Sequence, residues 1–181
     1  MGELVAPVPR FHASFLEAVE ELHAEGRRAD LDGGALRDAA RFATWTEQLR
    51  AQALEEAPRP PGWVPTTLLW WVDGDDYLGV IAIRHRLNER LRRIGGNIGY
   101  EVRPSARRRG NATRMLAAAL PVAASLGIDP ALITCDRRNE ASRRVIEANG
   151  GVAFEPVGDE LRFWVPTGVE RAAAGRAPAS K

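Results

Sequence analysis

The strongest structural signal in this chain is the sequence NIGYEVRPSARRRGNATRML at residues 97–116. Residues 97–102 are typical of a strand, and the apolar residues that follow position 109 recur at helical spacing. Between them lies a loop, residues 103–110, which is rich in arginine and ends in Gly110. The sequence therefore predicts a strand, a basic turn and a helix that runs from 109 to 126.

The start of this predicted helix has the properties of an anion-binding site. The first backbone N–H groups of a helix have no acceptor within the helix, and the helix dipole adds positive potential there. Gly110 lets a phosphate approach the backbone without a Cβ in the way, and Ala112 is small for the same reason. Positive charge comes from Arg107, Arg108 and Arg109. We expect the ligand to be a pyrophosphate.

Two common phosphate-binding loops do not occur in this sequence. The chain has no GxxxxGK[ST] motif, and its only lysine is Lys181, which rules out a P-loop nucleotide site. No GxGxxG follows a predicted strand, which argues against a Rossmann dinucleotide site. Cys135 is the only cysteine, so neither an intrachain disulfide nor a cysteine-based zinc framework can form.

The rest of the sequence predicts a mixed α/β fold around a central sheet. Consecutive strands imply antiparallel pairing, whereas the strand–helix–strand unit at 97–135 implies one parallel pair joined by a right-handed crossover. Helices are expected at 11–25, 35–56 and 139–149 and a loop or helical turn at 88–96, with further strands at 3–8, 66–72, 77–87, 131–135, 152–157 and 160–165.

Length and charge indicate one domain of ordinary size. We expect one domain at 1–167, with an N-terminal part at 1–65, a core at 66–165 that follows the proline-rich break at 57–65, and a loose tail at 168–181. The formal net charge of +1 argues against a nucleic-acid or membrane-surface binder. No apolar run is long enough to span a bilayer, and no signal peptide is evident, so we expect a cytoplasmic protein.

The basic turn resembles a known cofactor signature. Arg107-x-x-Gly110-x-Ala112, after a strand that ends in V-x-P, is similar to the acyl-CoA motif Q/R-x-x-G-x-G/A of the GNAT N-acetyltransferase superfamily. A second block, ITCDRRNEASRRVIEANGG at 133–151, carries Asn139 and Ser142 in a layout most like that of the ribosomal-protein N-terminal acetyltransferases. The resemblance covers about 66–165 and extends to a set of bacterial predicted acetyltransferases.

This resemblance implies a fold, a cofactor and a reaction. The parallel strands 97–102 and 131–135 would splay apart, pantetheine would enter the gap beside Val102, and the pyrophosphate would rest on the amides of 107–113. The acetyl group of acetyl-CoA would pass directly to a primary amine, with no metal. The cofactor contacts that it implies are Val102, Arg107, Arg108, Arg109, Gly110, Asn111, Ala112, Thr113, Asn139 and Ser142.

The catalytic side chains are less clearly marked. Glu101 is the nearest carboxylate for deprotonating the amine, and His85 is the next candidate. Asn97 stands where related enzymes often carry Glu or His and could only orient a water molecule. Many relatives use a tyrosine on the last helix as the acid, but neither tyrosine of this chain is expected there. We therefore expect Ser142 to donate to the leaving thiolate, as in the ribosomal-protein subgroup.

Three questions stay open at the level of the sequence. A non-catalytic acyl-CoA-binding module is an alternative to an enzyme, because base and acid are both weakly marked. A nucleic-acid binder that uses the arginines at 90–93, 107–109 and 137–144 is a second rival, which the balanced charge disfavours. The acceptor could be an amino acid, a peptide N-terminus, a polyamine or an antibiotic amine. Homodimers are common in the superfamily, but no residue pattern indicates one here.

Overall fold

The computed structural model describes residues 2–168 as a seven-stranded mixed sheet with helices on both faces. The strands are β1 (Glu3–Val5), β2 (Thr66–Asp73), β3 (Asp76–Arg84), β4 (Ile98–Val102), β5 (Ala131–Asp136), β6 (Val152–Val157) and β7 (Glu160–Val165). Their order is β1-β2-β3-β4-β5-β7-β6, and every neighbouring pair is antiparallel except β4 and β5. The predicted fold class is confirmed; the expected tail at 168–181 lies outside the described residues apart from Gly168.

The helices agree with the sequence pattern in all but one segment. They are α1 (His12–Ala24), α2 (Gly33–Leu36), α3 (Ala39–Ala51), α4 (Glu89–Arg93), α5 (Asn111–Ser125) and α6 (Glu140–Ala148). The single helix predicted at 35–56 is wrong, because Asp38 interrupts it. Asp38 has an extended backbone and its carboxylate accepts the N–H of Arg41 at 2.8 Å, so it ends one helical segment and caps the next.

Each face of the sheet carries its own apolar core. Residues that alternate along β2 point to opposite faces, so Trp71 packs under α5 and α6, whereas Trp70 packs under α1 and α3. The first core is mainly aliphatic; the second is aromatic and places Phe15 and Phe42 around Trp70. Helices therefore cover both faces of the sheet, and any cavity on a face is bounded by the sheet and by the helices of that face.

The parallel pair β4–β5 separates almost as soon as it forms. Ile98 and Ile133 are the only register partners among the described residues of these two strands. Just before them, the Asn97 N–H donates to Leu132 O at 2.6 Å, its Oδ1 accepts the Leu132 N–H at 2.9 Å, and its Nδ2 donates to Arg84 O at 3.1 Å. Asn97 thus ties β3, β4 and β5 together where the strands are adjacent, and the gap opens beyond this tie.

Candidate active site

Two cavities lie on opposite faces of the sheet and meet at the gap between β4 and β5. The helix cleft, of 560 Å³, lies between the gap, the start of α5 and α6, and its lining includes Val102, Gly110, Ala112, Asn139 and Ser142. The aromatic cavity, of 380 Å³, lies under α1 and α3, and its lining includes Phe15, Trp45, Trp70, Tyr77 and Arg84. Arg27, Tyr100 and Glu101 line both.

The N-terminus of α5 presents free backbone donors to the helix cleft. Gly110 precedes the helix in the left-handed region at φ 72°, and no side chain caps the first turn. Arg108 is also left-handed, at φ 59°. The N–H groups of residues 111–113 belong to the first turn, so they have no acceptor within the helix. The turn therefore offers the cluster of unpaired amides that the sequence predicts for a pyrophosphate.

The three arginines of the turn differ in what they contact. Arg107 donates from Nε to Val102 O at 3.1 Å and pairs through Nη1 with Glu25 at 2.9 Å. Its Nη2 is buried and has no partner within residues 2–168, and the side chain lines the helix cleft. Arg108 also lines the cleft, whereas Arg109 is exposed and lines neither cavity. A phosphate in the cleft would satisfy the orphaned Nη2 of Arg107.

Asn111 does not turn its side chain toward a ligand. Its Oδ1 accepts from Trp71 Nε1 at 3.2 Å and from Arg114 Nη2 at 2.8 Å, and its Nδ2 donates to Ala106 O at 2.9 Å. The side chain is buried and anchors the turn to the core beneath α5. Asn111, which the sequence predicts as a cofactor contact, can therefore bind a ligand only through its backbone N–H.

A tyrosine lies against Ser142, contrary to expectation. Asn139 caps α6 by accepting the Ser142 N–H at 3.0 Å. The Ser142 Oγ lies 2.9 Å from the hydroxyl of Tyr100, which comes from β4 rather than from the last helix. Burial raises the pKa of Tyr100 to about 12, with the hydrogen bond to Ser142 acting in the opposite direction. The expectation that no tyrosine stands near this position is wrong, and strand alternation could have found it, because Tyr100 and Glu101 must face opposite sides.

Glu101 lies where the two cavities join, but it is already bonded. Its Oε1 pairs with Arg27 at 2.6 Å and its Oε2 with Arg28 at 3.3 Å, and its side chain is only 14% exposed. Arg28 is shared with Asp30 at 3.1 Å. Both carboxylate oxygens are therefore engaged by guanidinium groups, one in an ion pair with Arg27 and the other in a hydrogen bond from Arg28, so a proton from a substrate could reach Glu101 only after one of these contacts shifts.

Two of the predicted catalytic residues are not brought to the cavities. The ring of His85 lies 2.8 Å from the Thr67 hydroxyl and lines neither cavity; burial lowers its pKa, with Glu55 acting in the opposite direction. Asn97 is 4% exposed, and both ends of its amide are bonded to backbone. The expectation that Asn97 orients a water molecule is wrong, because its hydrogen-bonding groups are used to hold three strands together.

Comparison with known proteins agrees with this geometry. The family model described as an acetyltransferase (GNAT) domain matches residues 18–152, about three quarters of the chain. The chain belongs to the GNAT acetyltransferase family. Membership of this family makes the chain an acetyltransferase. A sequence comparison with curated proteins gives no match.

Solved structures of low sequence identity share the fold. Ribosomal-protein-S5-alanine acetyltransferase from Vibrio fischeri is 11% identical, covers 92% of this chain and 93% of its own, and gives a TM-score of 0.65. Microcin C7 self-immunity acetyltransferase, in complex with acetyl-CoA and AMP, is 11% identical, with 90% of each chain covered and a TM-score of 0.61. The Salmonella typhimurium enzyme that modifies the N-terminal serine of ribosomal protein L7/L12 is 16% identical, with 90% and 92% covered and a TM-score of 0.57.

The residues of the helix cleft fit acetyl-CoA, and no other cofactor is indicated. The unpaired amides at 111–113 and the orphaned Arg107 Nη2 suit a pyrophosphate, and β4 has an open edge beyond Ile98 for an amide-rich chain such as pantetheine. Within residues 2–168, no group of three or more His, Cys, Asp or Glu side chains could hold a metal ion. Over the same residues, no helix is long and apolar enough to cross a membrane.

Proposed function

We propose that acetyl-CoA lies in the helix cleft and that a primary amine reaches the thioester from the aromatic cavity through the gap between β4 and β5. One observation carries the proposal: the two cavities lie on opposite faces of the sheet, and Tyr100 and Glu101 line both at the point where they meet. Donor and acceptor can therefore bind independently and still be in contact, which is what direct transfer requires.

The backbone around Val102 supplies the groups that pantetheine and the reaction need. The Arg103 N–H donates to Leu78 O on β3 at 2.9 Å, so by strand alternation the Val102 N–H points to the opposite edge, toward the gap. The Val102 carbonyl on that edge is bonded to Arg107, which leaves the N–H as the free group. This N–H binds the pantetheine amide or stabilises the oxyanion that forms when the amine attacks the thioester carbonyl.

Ser142 and Tyr100 act on the leaving sulfur as a pair. Burial raises the pKa of Tyr100 to about 12, so it stays protonated at neutral pH, and either hydroxyl of the pair can be the donor. We assign the arrangement in which Tyr100 donates to Ser142 and the Ser142 hydroxyl donates into the cleft. An ordinary thiol has a pKa of about 8.5, so complete proton transfer from Tyr100 to the thiolate would be unfavourable by roughly 5 kcal/mol. The pair therefore stabilises the thiolate by hydrogen bonding, and the proton that the sulfur finally takes comes from the amine.

Glu101 is the group we assign to the amine. It is the acidic side chain that lines both cavities, and its position on β4 faces the aromatic cavity. Its carboxylate attracts the substrate ammonium in competition with Arg27 and Arg28, and it takes up the proton as the amine attacks. His85 and Asn97 have no part in this assignment, because neither lines a cavity.

The proposal extends to the whole of residues 1–167 as one catalytic domain in the cytoplasm. The N-terminal part, 1–65, supplies α1 and α3 and with them Phe15 and Trp45 of the aromatic cavity, whereas 66–165 supplies all of the helix-cleft lining except Arg27. Several arginines of the basic clusters are engaged in ion pairs within the chain, which leaves less charge for a nucleic-acid partner. We expect neither nucleic acid nor a membrane as partner; a homodimer stays a prediction from the superfamily.

A non-catalytic acyl-CoA-binding module remains the second candidate, and the ion pairs that hold Glu101 favour it. The test is calorimetry with acetyl-CoA followed by thiol release with a panel of amines, monitored with a thiol-reactive dye. We expect micromolar binding and amine-dependent release of free CoA. Binding with no release for any amine supports the module, and an absence of binding at high micromolar acetyl-CoA refutes both.

A further inference from the structure

The aromatic cavity contains a cation that the fold does not neutralise. Arg84, the last residue of β3, lines both the aromatic cavity and the gap between β4 and β5. Its Nη1 donates to the carbonyl oxygens of Gly95 and Gly96 at 2.9 and 3.1 Å. Within residues 2–168, Arg84 forms no ion pair with a carboxylate, whereas Arg27 and Arg28 in the same cavity share Glu101.

The surroundings of Arg84 keep its guanidinium beside the reacting position. A Cβ on Gly99 of β4 would lie in van der Waals contact with both Nη1 and Nη2, at 3.5 Å from each, so the guanidinium lies directly over this strand. Burial lowers the pKa of Arg84, and Arg90 acts in the same direction. A partly buried cation without a counter-charge is costly, and an anion that enters with a ligand would offset that cost.

The other side of the cavity is aromatic, with rings that meet at several angles. Phe15 stacks on Trp70 with ring centroids 5.3 Å apart, and Trp45 and Tyr77 lie 5.1 and 5.0 Å from Phe15. Counting the charged residues of the lining, three arginines face one glutamate. The cavity thus combines an aromatic wall with an excess of positive charge, which attracts an anion-bearing ring compound and repels a polycation.

We propose that the acceptor is a small primary amine that also carries an anionic group, a carboxylate or a phosphate, and a flat apolar group. The anion binds the guanidinium of Arg84, the ring packs against the aromatic wall, and the amine points into the gap. This inference rests on the proposed function and names its substrate class. The volume of 380 Å³ lies near the lower end of the roughly 300–1,000 Å³ typical of small-molecule sites. Polyamines and polycationic antibiotics are excluded by the same charges.

In the reaction, the amine nitrogen bonds to the acetyl carbonyl carbon and the carbon–sulfur bond breaks. The ammonium gives its first proton to Glu101, and after the attack the nitrogen gives its second proton to the departing CoA thiolate. The products are therefore an N-acetylated acid, free CoA and one proton that Glu101 returns to water. The anion of the substrate and its amine therefore have separate partners, Arg84 and Glu101.

Three matched substrates test the proposal on the unmodified enzyme: phenethylamine, phenylalanine and 1-amino-2-phenylethylphosphonic acid. They share the ring and the primary amine and differ only in the anionic group. We expect kcat/KM for at least one of the two acids to exceed that of phenethylamine by roughly 10- to 100-fold, the range for a hydrogen bond to a charged group. The preferred acid distinguishes a carboxylate from a phosphate site. Equal or better turnover of phenethylamine, or of spermidine, overturns the proposal.

Variants of Arg84 give a second, independent readout. In Arg84→Gln the acid-to-amine ratio of kcat/KM should fall to near one, and in Arg84→Lys it should be partly kept, because the charge remains while the two-pronged geometry is lost. Arg86→Gln is the matched control, since Arg86 is exposed and paired with Glu55 outside the cavity. A ratio is insensitive to a general loss of folded enzyme, so an unchanged ratio in Arg84→Gln overturns the proposal even if activity drops.

The two proposals fail in different ways. If calorimetry shows no acetyl-CoA binding, the proposed function itself is refuted. If acetyl-CoA binds and uncharged amines are acetylated without preference for the acids, only the assignment of Arg84 is refuted.

Discussion

Gly110→Ala should separate the strain of the turn from its role in binding. Gly110 has φ 72°, where an alanine costs roughly 1–2 kcal/mol, and its new Cβ would meet Arg114 Nη1 at 3.1 Å. Gly127, just beyond the other end of α5, has φ 76°, and a Cβ added there would meet no atom within 4 Å. The two substitutions carry the same backbone strain, so each should lower the melting temperature by roughly 2–8 °C in a protein of this size.

Only Gly110→Ala should affect acetyl-CoA. The methyl group would stand between the unpaired amides at 111–113 and a phosphate, so we expect the dissociation constant to rise at least about tenfold, or roughly 1.4 kcal/mol. In Gly127→Ala the constant should not change. Differential scanning fluorimetry measures the first effect and isothermal titration calorimetry the second. If the two variants bind acetyl-CoA equally well, the turn does not hold the pyrophosphate and the assignment of the helix cleft is refuted.

Four further substitutions test the turn, the hydroxyl pair and the strand tie. Arg107→Met removes the orphaned Nη2 donor and should raise the dissociation constant of CoA about tenfold. The dissociation constant of 3′-dephospho-CoA should rise by the same factor, because the contact is to the pyrophosphate. Unchanged affinities in a calorimetric series would refute this role of Arg107. Tyr100→Phe and Ser142→Ala should each lower kcat about tenfold at unchanged CoA affinity. The kcat of the double variant should be little lower than that of either single variant, because the two hydroxyls act as one unit. Additive losses of kcat in a stopped-flow or steady-state assay would contradict this. Asn97→Ala leaves the Leu132 N–H and the Arg84 carbonyl unpaired. The free energy of unfolding, measured by urea denaturation, should therefore fall by roughly 2–4 kcal/mol. If Asn97→Ala is fully stable but has a reduced kcat, Asn97 has a catalytic role instead.

Most of the fold could be predicted because local chemistry dictates it. The alternation in 77–87 and the helical spacing after 109 correspond closely to β3 and α5, and the two closing strands have the predicted bounds. The exception at 35–56 is instructive. Apolar residues recur on both sides of Asp38, so the pattern predicts one helix, while the capping hydrogen bond of a single aspartate divides it. The spacing of apolar residues shows which face of a helix is buried, but it does not show where a capping residue divides one helix into two.

The donor side of the site was also visible in the sequence, because its parts are contiguous. A glycine in the left-handed region, a small residue two positions later and an uncapped first turn all lie within a few residues of one another. What the sequence could not provide was the direction of each side chain within the turn. Asn111 points into the core, Arg107 folds back on Val102 and Arg109 points to solvent, because these directions depend on packing against Trp71 and Glu25.

The acceptor side was not visible, because no local pattern encodes it. Phe15, Trp45 and Trp70 come from α1, α3 and β2, and each is also an ordinary core residue by its spacing. Arg84 in the sequence is one arginine among many, in a chain where nearly every basic residue is arginine. Arg84 is distinguished from the other arginines only by its surroundings in the folded sheet. There its guanidinium contacts two carbonyl groups and lies against Gly99, and no carboxylate within residues 2–168 pairs with it.

This difference between the two sides follows from what each must bind. The donor is one molecule with a fixed pyrophosphate, and backbone amides at a single turn suffice for it, so its determinants stay together in the chain. In our proposal the acceptor is bound by side chains from α1, α3 and three strands, and these can be exchanged while the sheet is kept. Under this proposal substrate choice depends on few residues, and among them Arg84 is the cation that no carboxylate within residues 2–168 neutralises. Replacing Arg84 should consequently change which amine is acetylated far more than whether acetyl-CoA is bound.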